Sequence, residues 1–306
     1  MKKYITMSIL LVLVMCILSA CSSKESNGVD KNIKEQTEEL LTNNEIYGRI
    51  QDEKSTQEIK TEAKRQENEH IEPEDITVDY TEEFQSMEGC AVIFDESKNA
   101  YMFYNEEACK TEVSPCSTFK IASTLIGLHN QVITSEESKM GYNGMEYPVD
   151  SWNADLNLRD AFQNSCVWYF RKIIDEVGKE EVKEELLALN YGNCDVSEWN
   201  GSGVNAFPQL NGFWLNSSLE ISPWVQVGML RNIIDGNIIY TQEEVNILKD
   251  IMFVETKDVG KIYGKTGTGS NHDAWFVGFV EKEESYIYFA VYLKDDDSDE
   301  VNGTMA

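Results

Sequence analysis

Segments with the pattern of β-strands lie at both ends of the foldable part of this chain, and segments with the pattern of helices lie between them. The early strands, 91–94 and 100–104, flank a polar turn that is typical of a hairpin. The late strands, 260–265, 274–280 and 286–293, are rich in Tyr, Phe, Val and Ile. This order predicts one α+β domain, in which N- and C-terminal strands form an antiparallel sheet and a mostly helical region is inserted between them.

The inserted region has clear helix boundaries. A helical pattern covers 158–189, with breaks near Asn164 and Gly178. Another helix begins after Ser222, where an N-cap serine is followed by proline. A third begins after Thr241, where a glutamate three residues later completes a capping box.

The composition argues against two kinds of partner. The chain has 306 residues, a formal charge of −28 and 3 histidines. Strong acidity repels a phosphate backbone, so we expect no nucleic-acid partner. With so few histidines, no H-x-H and no paired C-x-x-C, we expect no metal site.

Residues 1–20 have the pattern of a signal peptide. Two lysines precede an apolar run at 5–18, which is short for crossing a bilayer. The run ends in Leu18-Ser19-Ala20-Cys21, which resembles a bacterial lipoprotein cleavage box and implies lipidation of Cys21. An ordinary secretory signal and an uncleaved anchor helix are the alternatives. The lipoprotein interpretation places the protein outside the cytoplasm, anchored by lipid to the outer face of the bacterial cell membrane.

Residues 21–75 are rich in Glu, Lys, Asn and Gln and contain a single aromatic residue. Such a segment buries too little apolar surface to offset the entropy of ordering, so we expect a disordered acidic tether that begins at the lipidated Cys21. The folded domain then spans 76–306.

Five cysteines follow Cys21, an odd number that cannot pair completely: Cys90, Cys109, Cys116, Cys166 and Cys194. Cys90 and Cys109 bracket the predicted hairpin and are candidates for a disulfide, although their offset is imperfect. Packing is the expected role of Cys116 and Cys166.

The motif Ser117-Thr118-Phe119-Lys120 precedes an apolar run that predicts a buried helix through Gly127. If Ser117 opens this helix, its side chain and that of Lys120 lie on one face within reach of each other. A serine hydroxyl becomes a nucleophile when a neighbouring base takes its proton, and a desolvated lysine is such a base. The structural alternative is an N-cap serine followed by a lysine that extends to solvent.

Four further stretches have a structural explanation when each is taken alone. Caps, turns, strand ends and packed tryptophans account for them separately. In chain order they are Ser165-Cys166-Val167, Tyr191-Gly192-Asn193, the tryptophan-containing segment 213–222, and Lys265-Thr266-Gly267-Thr268-Gly269. Together with the serine–lysine motif, and in this order, they are poorly explained by chance.

The set resembles the penicilloyl-serine superfamily, and within it the class D serine β-lactamases, over residues 89–297. The S-x-x-K and K-T-G motifs are shared with penicillin-binding transpeptidases, which usually carry S-x-N as the middle motif. Here the middle motif is Ser165-Cys166-Val167, as in class D enzymes and related β-lactam sensor domains. The resemblance implies the serine β-lactamase/transpeptidase-like fold, and makes residues 76–306 a class D β-lactamase-like catalytic domain.

The resemblance implies hydrolysis of β-lactam antibiotics through an acyl-serine intermediate on Ser117, with the oxyanion held by backbone N–H groups of Ser117 and Thr268. Lys120 is N-carboxylated in the family and acts as general base, so carbon dioxide or bicarbonate is the expected cofactor. Apolar neighbours would desolvate Lys120 and lower its pKa, which favours the neutral amine. Ser165 relays a proton, with support from Lys265. The implied carbamate pocket is Val167, Trp214 and Leu215, and the implied substrate contacts are Thr266, Gly267, Thr268, Tyr191 and Asn193.

Two features depart from the family. A helix that covers one face of the sheet normally follows the last strand. We expect this helix to be missing, because the sequence ends at Ala306, just after the last predicted strand. Many members of the family bind the substrate carboxylate through an arginine after the last strand. No arginine follows Arg231 here, so this role passes to Lys265 and the threonines or is weakened.

Three other functions stay open. One is a β-lactam sensor or penicillin-binding protein that acylates without efficient deacylation. Sensors are normally fused to a multi-helix membrane domain, whereas a lipoprotein signal and a tether precede the domain here. Another is a lipid-anchored cell-wall transpeptidase or carboxypeptidase, against which Val167 and Trp214 argue. The last is an inactive remnant.

Overall fold

The computed structural model describes residues 72–84, 87–270 and 272–294. The predicted signal peptide, the predicted lipidation site Cys21 and nearly all of the predicted tether lie outside the described residues. Residues 295–306, on which the prediction of a missing helix depends, lie outside them as well. These expectations therefore stay predictions.

Within the described residues, seven strands form one sheet, and helices follow one another between its early and late strands. The strands are β1 (Glu74–Thr77), β2 (Glu88–Asp95), β3 (Ala100–Tyr104), β4 (Phe253–Lys257), β5 (Gly260–Thr268), β6 (Asp273–Glu281) and β7 (Tyr286–Lys294). The α-helices are α1 (Thr81–Phe84), α2 (Glu106–Cys109), α3 (Lys120–His129), α4 (Leu158–Gln163), α5 (Val167–Val177), α6 (Lys179–Ala188), α7 (Pro223–Ile234) and α8 (Gln242–Met252).

The sheet has the strand order β1-β3-β2-β7-β6-β5-β4. Strand β2 pairs antiparallel with β7, from Glu88 opposite Lys294 to Asp95 opposite Ile287. The meander β5–β6–β7 continues the same sheet. These pairings confirm that early and late strands close one α+β sheet. The edge strands β1 and β4 were not among the predicted strands.

The helices pack their apolar surfaces on the sheet and on one another. Helix α7 lies against β7, β2 and β6, whereas α3 packs against α5 and α8. The core so formed includes Val92 and Val277 from the sheet and Leu125 and Ile126 from α3, none of them exposed. Full burial of one such side chain contributes about 1.5–3 kcal/mol. This packing fixes α3, which follows the serine–lysine motif.

The predicted starts of the two capped helices, after Ser222 and after Thr241, are confirmed. Ser222 Oγ accepts the backbone N–H of Val225 at 3.2 Å and Pro223 follows as the first helical residue of α7. Thr241 and Glu244 form the capping box of α8 in both directions. Separate helices α4, α5 and α6 occupy the predicted helical region.

The helix predicted to open at Ser117 begins later. Residues Cys116–Phe119 form a 3₁₀ turn, and the α-helix starts at Lys120. Cys116 has a φ of +48°, in the left-handed region that a side chain disfavours. Short 3₁₀ turns of this kind are frequent at the N-termini of α-helices.

The five cysteines of the described region are free thiols, so the disulfide considered for Cys90 and Cys109 is not formed in this structure. No cluster of three or more His, Cys, Asp or Glu side chains in the described part of the chain is arranged to hold a metal ion. Among the helices described between residues 72 and 294, none combines the length and the hydropathy of a membrane span.

Candidate active site

The 3₁₀ turn brings the serine and the lysine of the first motif together. Lys120 Nζ donates to Ser117 Oγ at 2.9 Å. A 3₁₀ turn places side chains three residues apart directly above one another, so the observed turn aligns this pair more closely than the predicted α-helix. Thr118 Oγ1 closes the turn by donating to the carbonyl of Pro115 at 2.7 Å. Ser117 itself is half-buried.

Lys120 is buried in apolar surroundings. Its side chain has no exposed surface, and Nζ lies 5.5 Å from the centre of the Phe170 ring. Burial lowers the pKa of Lys120 from its ordinary value of 10.5 to about 8. A neutral amine is therefore accessible near neutral pH, as a base beside a serine requires. This confirms the predicted direction of the pKa change.

The Trp214 ring packs against the serine turn. Its ring centre is 5.2 Å from that of Phe119, the residue before Lys120, and 5.2 Å from that of Phe213. Within the described residues, its Nε1–H is buried and has no hydrogen-bond acceptor. An unsatisfied buried donor costs about 1–3 kcal/mol. Val167, at the start of α5, is buried, and Leu215 is half-buried against the core.

Ser165 stands where helix α4 ends. Its N–H bonds to the carbonyl of Phe162 and the next N–H, of Cys166, bonds to that of Ala161. These two bonds form a Schellman motif, in which the residue at Ser165 takes the left-handed conformation and is usually glycine. Ser165 has a φ of +53°. Holding a non-glycine residue in this conformation costs of order 1 kcal/mol or more, and such strained residues cluster at functional sites.

Lys265 reaches Ser165 from strand β5. Its Nζ donates to Ser165 Oγ at 2.5 Å and to the carbonyl of Thr266 at 2.9 Å, and it lies 5.6 Å from the centre of the Phe162 ring. Burial lowers the pKa of Lys265 well below its ordinary value, and the charge of Lys120 lowers it further. The two lysines therefore share one site and repel each other.

Strand β5 runs directly against the serine turn. A Cβ at Gly267 would lie 3.2 Å from Thr118 Cγ2 and 3.3 Å from the carbonyl oxygen of Pro115, so glycine permits this approach. Thr266 is half-buried and Thr268 is exposed. Gly267 thus has a packing role, whereas the two threonines flank it on the same strand.

Tyr191 and Asn193, two of the predicted substrate contacts, differ in exposure. The Tyr191 ring is fully buried, with its centre 5.8 Å from that of Phe119, which argues against a substrate contact by this ring. Asn193 is exposed, and its amide donates to the carbonyl of Ser218 and accepts the N–H groups of Asp195 and Glu220. The predicted substrate contact of Asn193 therefore stays a prediction.

The structure brings Ser117, Lys120, Ser165 and Lys265 into two bonded pairs, and it places Trp214 and Val167 near them. Sequence reasoning missed the rings of Phe162 and Phe170 that cover the two lysines, because nothing in the sequence separates them from ordinary core residues. It also missed Ser114, whose signal was only its position three residues before Ser117.

Comparison with known families agrees with this geometry. Residues 54–306 match the family model of the penicillin binding protein transpeptidase domain. The regulatory protein BlaR1 of Staphylococcus aureus is 33% identical over 222 residues, which are 71% of this chain and 36% of that protein. The chain thus spans about a third of the length of such regulatory relatives.

Two further similarities cover most of the compared protein. The probable β-lactamase YbxI of Bacillus subtilis is 31% identical over 228 residues, which are 74% of this chain and 81% of that protein. The solved C-terminal domain of the Bacillus licheniformis BlaR penicillin-receptor has a TM-score of 0.69 at 30% identity, covering 77% of this chain and 94% of that chain. The predicted α+β fold is thereby confirmed.

Proposed function

The chain belongs to the family of the penicillin binding protein transpeptidase domain, and from this premise we propose that it hydrolyses β-lactams through an acyl-serine intermediate on Ser117. The family and the fold support acylation by β-lactams. The proposal adds that water then releases the acyl group, with N-carboxylated Lys120 as general base. The class of enzyme would be a class D serine β-lactamase.

The observation that carries the proposal is the buried Ser117–Lys120 pair. Lys120 Nζ is 2.9 Å from Ser117 Oγ, and burial lowers the pKa of this lysine to about 8. Its apolar enclosure disfavours the ammonium form and so favours the neutral amine, which can bind carbon dioxide.

The unsatisfied indole of Trp214 fits a carboxylate on Lys120. An anionic oxygen would accept the Nε1–H that has no acceptor within the described residues. Carbon dioxide, when bound, adds to the neutral amine with loss of one proton and supplies a carboxylate that acts as general base. The chain's own contribution is to keep Lys120 neutral and, with Val167 at the start of α5, to keep water from it.

The second pair suits proton delivery. Lys265 Nζ holds Ser165 Oγ at 2.5 Å, and this hydroxyl can pass a proton to the lactam nitrogen when the ring opens. We propose that Thr266 and Thr268 contact the substrate carboxylate, and that the backbone N–H groups of Ser117 and Thr268 bind the oxyanion. These roles need no metal ion.

A β-lactam sensor is the second candidate function. It is favoured by the similarity to BlaR1 proteins and to a solved penicillin-receptor domain. Both candidates acylate the serine, and they differ in whether the acyl group leaves. Deacylation is therefore the step to measure.

The test is intact mass over time for the full chain mixed with a penicillin, with and without added bicarbonate. We expect a transient acyl adduct on Ser117 and product formation that increases with bicarbonate. The matched control is Ser117→Ala, which should form no adduct. A persistent adduct would favour the sensor, and no adduct on folded protein would exclude both candidates.

We also propose that the protein acts outside the cytoplasmic membrane, with lipid on Cys21. The support is the sequence pattern of residues 1–21. In cells supplied with radiolabelled fatty acid, the protein should take up label, and Cys21→Ser should abolish the labelling. Equal labelling of both forms would contradict lipidation at Cys21.

A further inference from the structure

Ser114 joins the serine turn to the tryptophan-containing loop through its buried hydroxyl. Its Oγ donates to the carbonyl of Trp214 at 3.0 Å and accepts the N–H of Asn216 at 2.9 Å. Both contacts link residues about a hundred positions apart in the chain. The carbonyl of Ser114 in turn accepts the indole N–H of Trp275 from strand β6 at 3.1 Å. Ser114 is therefore held by the sheet while it holds the loop.

The loop is fastened a second time just beyond Trp214. Asn216 Oδ1 accepts the N–H of Ser270 at 3.1 Å and contacts the thiol of Cys116 at 3.6 Å. Asn216 has a φ of +48°, a strained conformation that persists only when its surroundings enforce it. The peptides on both sides of Leu215 are thus fixed to the serine turn and to the end of β5.

The position of the Trp214 ring follows from this backbone attachment. Nothing binds its Nε1 within the described residues, so packing on Phe119 and Phe213 and the anchored backbone determine where the indole lies. A donor contributes most to binding when its supporting contacts fix it in advance.

We propose that Ser114 is a positioning residue, which holds Trp214 so that its indole N–H meets a carboxylate on Lys120. The inference rests on the proposed function, because it concerns the same lysine. Ser114 lies outside the recognised motifs, and in this proposal it influences how tightly Lys120 retains carbon dioxide.

A merely structural role makes a different prediction. A buried serine that only supports the fold would, when replaced, lower activity at every bicarbonate concentration. A serine that positions the donor for a carboxylate on Lys120 would lower activity only where bicarbonate is limiting, because excess bicarbonate refills the lysine.

The chain offers a matched control for this distinction. Ser123 lies in α3, three residues after Lys120, and is buried even more completely than Ser114. Its Oγ has no hydrogen-bond partner within the described residues. Ser123→Ala therefore removes a buried hydroxyl near the same lysine without releasing the loop.

The experiment measures penicillin hydrolysis by the full chain against bicarbonate concentration, together with the ¹³C NMR signal of protein in ¹³C-bicarbonate. For Ser114→Ala we expect the bicarbonate concentration for half-maximal activity to rise roughly tenfold, the loss expected for one net hydrogen bond. The maximal rate should stay within about twofold of that of the unchanged chain, since the lysine itself is intact. Trp214→Phe, which removes the indole N–H itself, sets the upper limit of the increase in this bicarbonate concentration. Ser123→Ala should not change it. Ser114→Thr keeps the hydroxyl and should need the same bicarbonate concentration as the unchanged chain.

Each other outcome overturns the proposal. An unchanged bicarbonate dependence in Ser114→Ala, or a loss that bicarbonate does not restore, contradicts the positioning role while leaving the proposed function intact. Absence of bicarbonate dependence and of a ¹³C signal in the unchanged chain contradicts the lysine chemistry itself, and the positioning role with it. If Ser114→Ala does not fold, Ser114→Cys replaces it, because a thiol is a weaker donor of similar shape. Unchanged bicarbonate dependence in folded Ser114→Cys would likewise contradict the positioning role of Ser114.

Discussion

The site contains two serine–lysine pairs, and they differ in what surrounds each lysine. Lys120 Nζ bonds to Ser117 Oγ amid apolar side chains, whereas Lys265 Nζ bonds to Ser165 Oγ and to the carbonyl of Thr266. Burial lowers the pKa of both, and the charge of Lys120 lowers that of Lys265 further. Because two buried ammonium groups repel, the site disfavours having both lysines charged at once.

We propose that the difference in polar contacts gives the two lysines separate tasks. Lys120 would lose its proton and act as the base, whereas Lys265 would act as a hydrogen-bonded donor that orients Ser165. Methionine removes the charge of a lysine but keeps most of its volume. Replacing each lysine by methionine should therefore change hydrolysis and its bicarbonate dependence differently at the two positions.

Lys120→Met should have the largest effect. Hydrolysis should fall by roughly 10³-fold or more, because the serine loses its base. The free energy of unfolding at pH 7 should rise by up to about 3 kcal/mol, since a pKa of about 8 instead of 10.5 reflects the cost of burying the ammonium. Steady-state kinetics and denaturant unfolding measure the two effects, and Lys261→Met, at an exposed position, is the control.

The pH dependence of this stabilisation has a definite sign. Between pH 8 and 10.5 the unfolded chain keeps the proton of Lys120 and the folded chain does not, so the stability of the unchanged protein rises with pH in that window. The advantage of Lys120→Met should therefore be complete below pH 8 and disappear above 10.5. A constant advantage across this range would contradict the lowered pKa of Lys120.

Lys265→Met should reduce hydrolysis by roughly 10²-fold, the smaller contribution typical of assisted proton transfer. The loss should be the same at all bicarbonate concentrations, and the ¹³C signal from Lys120 should remain. Kinetics at limiting and saturating bicarbonate, with ¹³C NMR on the same samples, test both statements. Recovery of Lys265→Met at high bicarbonate would mean that the two lysines are not functionally distinct.

The same two pairs show how far the sequence could be read. Ser117 and Lys120 are three residues apart, so any helical turn brings them together and the contact could be predicted locally. Ser165 and Lys265 are separated by 100 residues, and only the order of the motifs linked them. The contact between the Phe170 ring and Lys120 could not be predicted from the sequence, because contacts between side chains of different elements depend on the packed fold.

The errors have physical causes as well. The turn Cys116–Phe119 is 3₁₀ rather than α-helical, and the apolar pattern could not show this because short 3₁₀ turns are frequent at helix N-termini. Tyr191 was predicted to contact the substrate, and its burial argues against that contact. A tyrosine in a turn does not reveal whether its ring is enclosed, and Tyr191 is fully buried.

Val167→Thr should produce a moderate effect that concerns the Lys120 pair alone. A hydroxyl at the start of α5 would solvate the ammonium of Lys120, raise its pKa above about 8 and disfavour the neutral amine. We expect roughly tenfold more bicarbonate to be needed for half-maximal hydrolysis at pH 7, about one unit of pKa. The control is Val182→Thr, a buried change in α6, which should cost stability without changing the bicarbonate requirement.

The smallest expected effect is a change in the pKa of Lys265, which tests the repulsion between the two lysines. Without bicarbonate, Lys120→Met removes the positive charge beside Lys265, so the pKa of Lys265 should be higher than in the unchanged chain under the same conditions while remaining lowered by burial. NMR titration of ¹³C-labelled lysine side chains measures this change without any turnover. Lys249 of helix α8, which bonds to Glu281 at the end of β6 at 2.8 Å, should titrate as before and is the internal control. An unmoved Lys265 would mean that burial alone sets its pKa, and the division of tasks would then depend on the polar contacts of Lys265 rather than on competition between two charges.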